Sequence, residues 1–425
     1  MVIKIKKKLK IGFIGLGGRG YGLMGDMVLP MMEDIDVIAV CDLHKDLRER
    51  AAVRVKELRD KEPLCTGDYH EVLGLKGIDA VIVSTSWRDH IKIAIDAMKA
   101  GIPVGVEVGG AYSIDQCWQL VHTQEKTGTP CMLMENCCYG REEMMVLNMV
   151  KTGVLGKVVH CEGGYHHDLR TELANSPEDH EHYRLYEYIE RNGENYPTHE
   201  LGPIAKVLNI NRGNRMLTLT SMASKARGLH EYILAKKEEE YPYRNTVIEQ
   251  GDVVTTTIKC AHGETITLTL DTTTPTFYTR GFRVYGTKGR YVDENQSLFL
   301  DSEHTGTEFD WNWKPKWGNI EEYREKYDHP IWKDFLNDGV RGGHGGMDYL
   351  VFRTFFESVM KGEQPPIDIY DMAAWMCITA LSEQSIAMGG MPVPIPDFTN
   401  GKWVKREPAK KRKYSLEDIC EGKKK

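Results

Sequence analysis

The sequence lacks any run of 18 apolar residues, so neither a membrane-spanning helix nor a membrane partner is expected. It lacks an excess of basic charge. Its 55 lysines and arginines face 62 acidic residues, and the net charge of -7 argues against nucleic acid as the main partner. Internal repeats are absent, and 41% hydrophobic with 28% charged residues excludes a disordered chain. The ten cysteines follow no repeated metal-type spacing, and Cys137 and Cys138 are neighbours. Reduced thiols in a cytoplasmic protein are expected rather than a disulfide framework. His166, His167 and Asp168 are consecutive on a predicted strand, where neighbouring side chains point to opposite faces. No metal site is expected there.

What is present fits two domains, since 425 residues exceed the roughly 100–200 of a single domain. The expected division is 1–150, 151–400 and a basic tail over 401–425, a surface extension rich in lysine. The start, MVIKIKKKLKIGFIGLGGRG, is basic and then apolar like an export signal. Its apolar part is short and runs straight into glycines, so it reads as a first strand.

Strand and helix signals alternate over the first 150 residues. Lys10–Gly15, Asp36–Cys41, Ala80–Ser84, Val104–Val108 and Cys131–Met134 read as strands. Asp46–Arg59, His90–Ala100 and Ser113–Thr127 read as helices. Such alternation predicts an α/β domain with a doubly wound parallel sheet, because parallel neighbours need long crossovers. Beyond residue 150 the texture becomes β-rich: Val158–His167, Met216–Met222, Val253–Cys260, Thr265–Thr272, Phe282–Tyr285 and Ser297–Leu300. Threonine-rich alternation predicts a second, α+β domain with an open, mainly antiparallel sheet. Arg170–Asn211 is polar and aromatic and reads as binding loops with short helices. Tyr349–Lys361 and Ile369–Met388 read as helices.

Gly15, Gly17 and Gly20, with Gly18 and Arg19 between them, spell G-x-G-x-x-G between a predicted strand and a predicted helix. Such glycines let a backbone approach a pyrophosphate at a helix N-terminus. Asp42 ends the second strand, where a carboxylate holds the adenosine ribose and repels a 2′-phosphate. The cofactor expected is therefore NAD. Further candidate contacts lie at strand ends on the same side of the sheet: Trp87, Arg88, Asp89 and His90, then Glu107 and Val108, then Asn136.

This layout resembles the oxidoreductase family named after glucose–fructose oxidoreductase and inositol dehydrogenase, which joins a Rossmann domain to an open β-sheet. Sugar dehydrogenases of that family carry Glu-Lys-Pro where this chain has Glu107-Val108-Gly109, and Val108 cannot move a proton. The runs Cys117–Val121, Met134–Tyr139, Leu147–Met149, Tyr165–Arg170, Tyr196–His199 and His344–Leu350 look like those of glycoside hydrolase family 109, over about residues 10 to 390. That resemblance implies an NAD-dependent, retaining α-N-acetylgalactosaminidase. It assigns NAD contacts to Gly18, Arg19, Asp42, Trp87 through His90, Glu107, Val108 and Asn136. It assigns sugar contacts to Tyr165, Arg184, Tyr196, Pro197, Thr198, His199 and Tyr278. This chain differs from the family pattern at Gly18, Arg88, Asp89, Gly109 and Glu200. Glu200 stands where the family has Gly, directly after His199, and so bears on which sugar is bound.

The resemblance also implies the chemistry. Oxidation at sugar carbon 3 acidifies carbon 2, a base removes that proton, and the aglycone leaves carbon 1. Water then adds and carbon 3 is reduced again, so NAD stays tightly bound and is regenerated. This route replaces the two carboxylates of most glycosidases. His199, read as lying in a polar loop, suits the carbon-3 hydroxyl because an imidazole titrates near neutrality. Tyr165 suits carbon 2, with Arg184 or the charge on NAD lowering its pKa. Glu135 is a rival base, an orienting group, or the partner of a buried cation. His344, in a glycine-rich loop, is a further candidate for the sugar pocket. Alternatives are a sugar dehydrogenase, a glycosidase of broader sugar and anomer range, and a non-catalytic NAD sensor. Open sheets in this superfamily often pack face to face, so a dimer or tetramer is expected.

Overall fold

The computed structural model describes residues 8–31, 33–174, 182–304, 311–408 and 413–416. Six parallel strands form the first sheet: β1 (Leu9–Ile14), β2 (Ile35–Cys41), β3 (Leu64–Thr66), β4 (Ala80–Val83), β5 (Val104–Val106) and β6 (Cys131–Leu133). Their order, β3-β2-β1-β4-β5-β6, reverses direction next to β1, and ligands of doubly wound folds bind at that point. β4 is buried at every residue, as a parallel strand covered by helices on both faces must be. The covering helices include α1 (Gly18–Gly22), α2 (Lys45–Arg59), α3 (Trp87–Lys99), α4 (Ile114–Thr127) and α5 (Arg141–Lys151). Ser113 caps α4 by accepting from the Gln116 N–H.

Eight strands form the second sheet: β7 (Val158–His166), β8 (Met216–Ala223), β9 (Val253–Cys260), β10 (Thr265–Asp271), β11 (Arg283–Gly286), β12 (Gly289–Val292), β13 (Ser297–Leu300) and β14 (Val393–Pro394). The order is β13-β12-β11-β7-β10-β9-β8-β14. All pairings are antiparallel except β7 with β10. In β9, Val254, Thr256, Ile258 and Cys260 are buried while Thr255, Thr257 and Lys259 are exposed. One face therefore meets the core and the other meets water.

Of the helices α6 (Tyr183–Glu190), α7 (Pro197–Val207), α8 (Met347–Lys361) and α9 (Ile369–Ala387), α7 and α9 pack on the second sheet, whereas α8 packs against residues 23–28 and 136–139. α7 corrects the sequence reading, which placed His199 in a loop. Pro197 occupies its first turn, where a missing N–H costs nothing and a fixed φ favours helix entry. The C-terminal segment is also more integrated than a solvated tail. Leu416 is buried, and the Tyr414 carbonyl accepts from the Thr354 hydroxyl on α8. Residues 409–412 and 417–425 lie outside the described residues. No helix among the described residues is long and apolar enough to cross a membrane.

Candidate active site

The loop from β1 to α1 is shaped by close approach. A Cβ at Gly15 (φ +93°) would lie 2.5 Å from the Ser84 backbone, and one at Gly20 would lie 2.1 Å from the Gly15 carbonyl oxygen. Cβ atoms at Gly17 and Gly18 would meet nothing within 4 Å. The loop is thus closed on one side and open on the other, as a pyrophosphate cradle requires. Asp42 accepts from the Leu16 N–H at 2.6 Å and the His44 N–H at 2.9 Å, which fixes its carboxylate at the edge of this cradle.

Arg19 leaves the loop and reaches across to α8. Its guanidinium makes two 2.9 Å bonds to the Asp348 carboxylate, with Glu107 at 3.4 Å and His344 Nδ1 at 3.2 Å. Burial alone would weaken the charge on Arg19, but Glu107 and Asp348 outweigh it and raise its pKa. Burial would raise Asp348, yet His344 and Arg19 hold it well below the usual carboxylate range. Asn136 donates to the same Asp348 at 2.8 Å. Glu107 is buried, which pushes its pKa up against the pull of Arg19, and its Oε1 has no hydrogen-bond partner. A buried acceptor left free beside the glycine loop fits a polar ligand there. Val108 is buried next to it.

His344 was expected in the sugar pocket. The structure instead joins it to Arg19 and Asp348 on the glycine-loop side. Asp348 was not singled out from the sequence. Its spacing of four from His344, on entry to a helix, is the signal that could have found it.

Of the cluster opening α3, only Trp87 joins the ring cluster described below. Arg88 pairs with Glu190 at 3.1 Å on the surface, and Asp89 accepts from the Ser86 hydroxyl at 3.0 Å. His90 is buried, and its Nε2–H donates to the Thr85 carbonyl at 3.0 Å. Burial lowers its pKa to about 4, so it is a neutral brace of the loop. Gly109 is confined by the same tryptophan: a Cβ there would lie 2.4 Å from the Trp87 ring.

A cluster of aromatic rings gathers around Trp87. Trp87 stacks on Tyr196 (5.4 Å, 30°), and Tyr196 lies 4.6 Å from the Tyr165 ring and 4.9 Å from His199. The Arg184 guanidinium sits 5.0 Å over Trp87 and 4.8 Å over Tyr196. Tyr278, half-exposed, stands edge-on to Tyr165 at 6.3 Å and to His167 at 5.1 Å. Pro197 and Thr198 are buried in the first turn of α7 and set the direction of His199.

His199 Nδ1 lies 2.7 Å from Glu135 Oε1, which also accepts from the Cys137 N–H at 3.0 Å. Burial would raise the Glu135 pKa, but His199 and the Cys137 N–H together hold it below the ordinary range. The carboxylate is ionised, so Nδ1 carries the proton and Nε2 is left facing the Tyr196 hydroxyl at 3.5 Å. Gly202 makes this pair possible, since a Cβ there would meet Glu135 Cγ at 2.8 Å. Glu135, Cys137 and His199 offer ligand atoms within 4.8 Å of one another. The first and last are already bonded together, and burial pushes the Cys137 thiol far above its usual range.

Tyr165 departs from expectation in its electrostatics. Arg184 does act to lower its pKa, but burial is the larger effect and the net direction is upward. Its hydroxyl meets His167 Nδ1 at 2.9 Å, a partner the sequence reading did not find. Glu200, expected to bear on the sugar, is 1% exposed and faces Glu194 in the interior.

A family model described as "Glycosyl hydrolase 109, C-terminal domain" matches residues 139–405. The chain belongs to glycoside hydrolase family 109. A second model, the oxidoreductase family with an NAD-binding Rossmann fold, matches residues 9–135, so this member of family 109 carries an NAD-binding domain. A family 109 protein of Stenotrophomonas maltophilia is 40% identical, over 95% of this chain and 91% of that protein. An α-N-acetylgalactosaminidase of Tannerella forsythia is 37% identical, over 94% of this chain and 88% of that protein. An NAD-binding oxidoreductase from Klebsiella pneumoniae shares the fold, with a TM-score of 0.68, 15% identity and coverage of 92% of this chain and 99% of the other.

Proposed function

We propose that this family 109 glycosidase is an α-N-acetylgalactosaminidase that works by oxidation and elimination. The observation that carries the reading is the 2.7 Å His199–Glu135 pair set against the Tyr165–Tyr196 rings. Gly15, Gly17, Gly18, Arg19, Gly20, Asp42, Glu107 and Asn136 would hold the dinucleotide. Bound NAD supplies a hydride acceptor for carbon 3 of the sugar and is restored within each turnover.

The side chains do the proton work. His199 Nε2 takes the proton of the carbon-3 hydroxyl, and Glu135 stabilises the imidazolium that results. Tyr165 takes the carbon-2 proton and passes its own to His167, 2.9 Å away. That exit matters because burial raises the Tyr165 pKa. The aglycone then leaves carbon 1, water adds in its place, and the same groups return the protons. Arg184, Tyr196 and Tyr278 present charge and ring faces to the sugar and its acetamide.

The test uses p-nitrophenyl α-N-acetylgalactosaminide in deuterated water. Nitrophenol release, deuterium at carbon 2 and no net NADH are expected. Net NADH with the glycoside intact would overturn the reading in favour of a dehydrogenase.

A further inference from the structure

Glu194 and Glu200 take no part in the chemistry above, yet both are buried beside it, at 0% and 1% exposure. With both ionised, none of their four carboxylate oxygens has a side-chain donor. Glu194 faces Glu200 and the backbone of Tyr196. Glu200 faces Glu194 and the backbone of Thr269 and Tyr165. No cation is among these neighbours. Two carboxyls in such contact cannot both be charged, and a carboxylate only accepts, so a bond between them requires one proton. Burial pushes Glu194 up to about 8 against the bond to Glu200, and burial together with the charge of Glu194 pushes Glu200 well above the usual range.

The pair sits where three elements meet. Glu194 is fixed to α9, its N–H donating to the Ser382 hydroxyl at 2.8 Å and its carbonyl accepting from Thr379 at 2.7 Å. Glu200 follows His199 directly on α7. α7 lies close on β7, because a Cβ at Gly163 would come within 2.5 Å of the Glu200 carbonyl oxygen. Two residues beyond Gly163, β7 carries Tyr165.

We propose that Glu194 and Glu200 form one hydrogen-bonded carboxyl pair, with a single proton between them, that positions His199 and Tyr165 against each other. Both are positioning residues, and the proposal rests on the roles given above to His199 and Tyr165. Loss of the shared proton leaves two like charges pressing α7 away from the Glu194 segment. The two reacting groups then move apart, and the chemical step slows with no loss of cofactor.

The NAD-loaded enzyme, E200Q, E200A and E194Q test this. E200Q keeps a donor for the Glu194 carboxylate, so kcat should stay within about threefold and its alkaline fall should disappear. E200A should lower kcat by up to about 10²-fold, the cost of misplacing a reacting group by an ångström, with NAD affinity and KM little changed. E194Q should behave as E200Q does. Equal kcat in E200A and the parent, or the same alkaline limb in the parent and E200Q, would overturn the proposal. If E200A does not fold, E200Q and E194Q still decide through that limb. Infrared spectra give a readout that needs no turnover: a protonated-carboxyl band at pH 7, removed in E200Q. A missing band defeats the shared proton. A band in an enzyme that releases no nitrophenol defeats the glycosidase reading instead. In that case the near-ultraviolet circular dichroism of the Tyr165–Tyr196 ring cluster decides the positioning, with identical spectra in E200A and E200Q counting against it.

Discussion

Glu135 faces the first turn of α7 and Glu200 belongs to it, and both are withdrawn from water. They end in opposite states. Glu135 faces an imidazole and a backbone N–H and stays ionised. Glu200 faces another carboxyl and is driven toward protonation. Burial acts on both in the same direction, so the partner decides the outcome. The pH dependence follows with opposite signs. Stability from Glu135 is present above the unfolded value of about 4.3 and is lost as pH falls through its lower folded value. For Glu194, stability is present below about 4.3 and is lost as pH rises toward about 8.

Removing His199 breaks the contrast most severely. H199N should lower kcat about 10³-fold with NAD still bound, as expected for a general acid–base group, measured by nitrophenol release and by calorimetric titration of NAD. Its melting temperature should fall as pH rises, since burial then acts on Glu135 without the imidazole to oppose it. A milder break is E135Q, which keeps the shape and removes the charge. About a 10–10²-fold loss of kcat is expected, with the acid-side loss of stability abolished in melting curves.

The comparison extends to Asp348, a third buried carboxylate, held low by His344 and Arg19 after burial is overcome. D348N releases Arg19 and should weaken NAD about tenfold, read by titration, with less effect on kcat at saturation. The smallest effect sharpens the rule from outside. Arg88 and Glu190 form an exposed pair with side chains 58% and 54% accessible. R88A should change stability by less than about 0.5 kcal/mol, because water already screens that pair.

Legibility in the sequence followed the range of the interactions. The glycine loop and Asp42 were readable because their geometry is local and only glycine satisfies it at Gly15 and Gly20. β4 was readable as an unbroken apolar run, and β9 as an alternation. β3, three residues long, carried too little pattern to register. α7 was missed because its first turn is polar and aromatic and Pro203 interrupts it, although Pro197 marks its start.

The sequence by itself determined the two sheets and the glycine-rich loop between β1 and α1, since periodicity and backbone freedom are properties of neighbouring residues. The tertiary structure alone decided which groups face each other. It joined His199 to Glu135 across 64 positions, moved His344 to Arg19, gave Tyr165 a histidine partner and turned Glu200 inward. Charge state in a buried site depends on a partner within a few ångströms, and that partner is supplied by packing rather than by the order of residues along the chain.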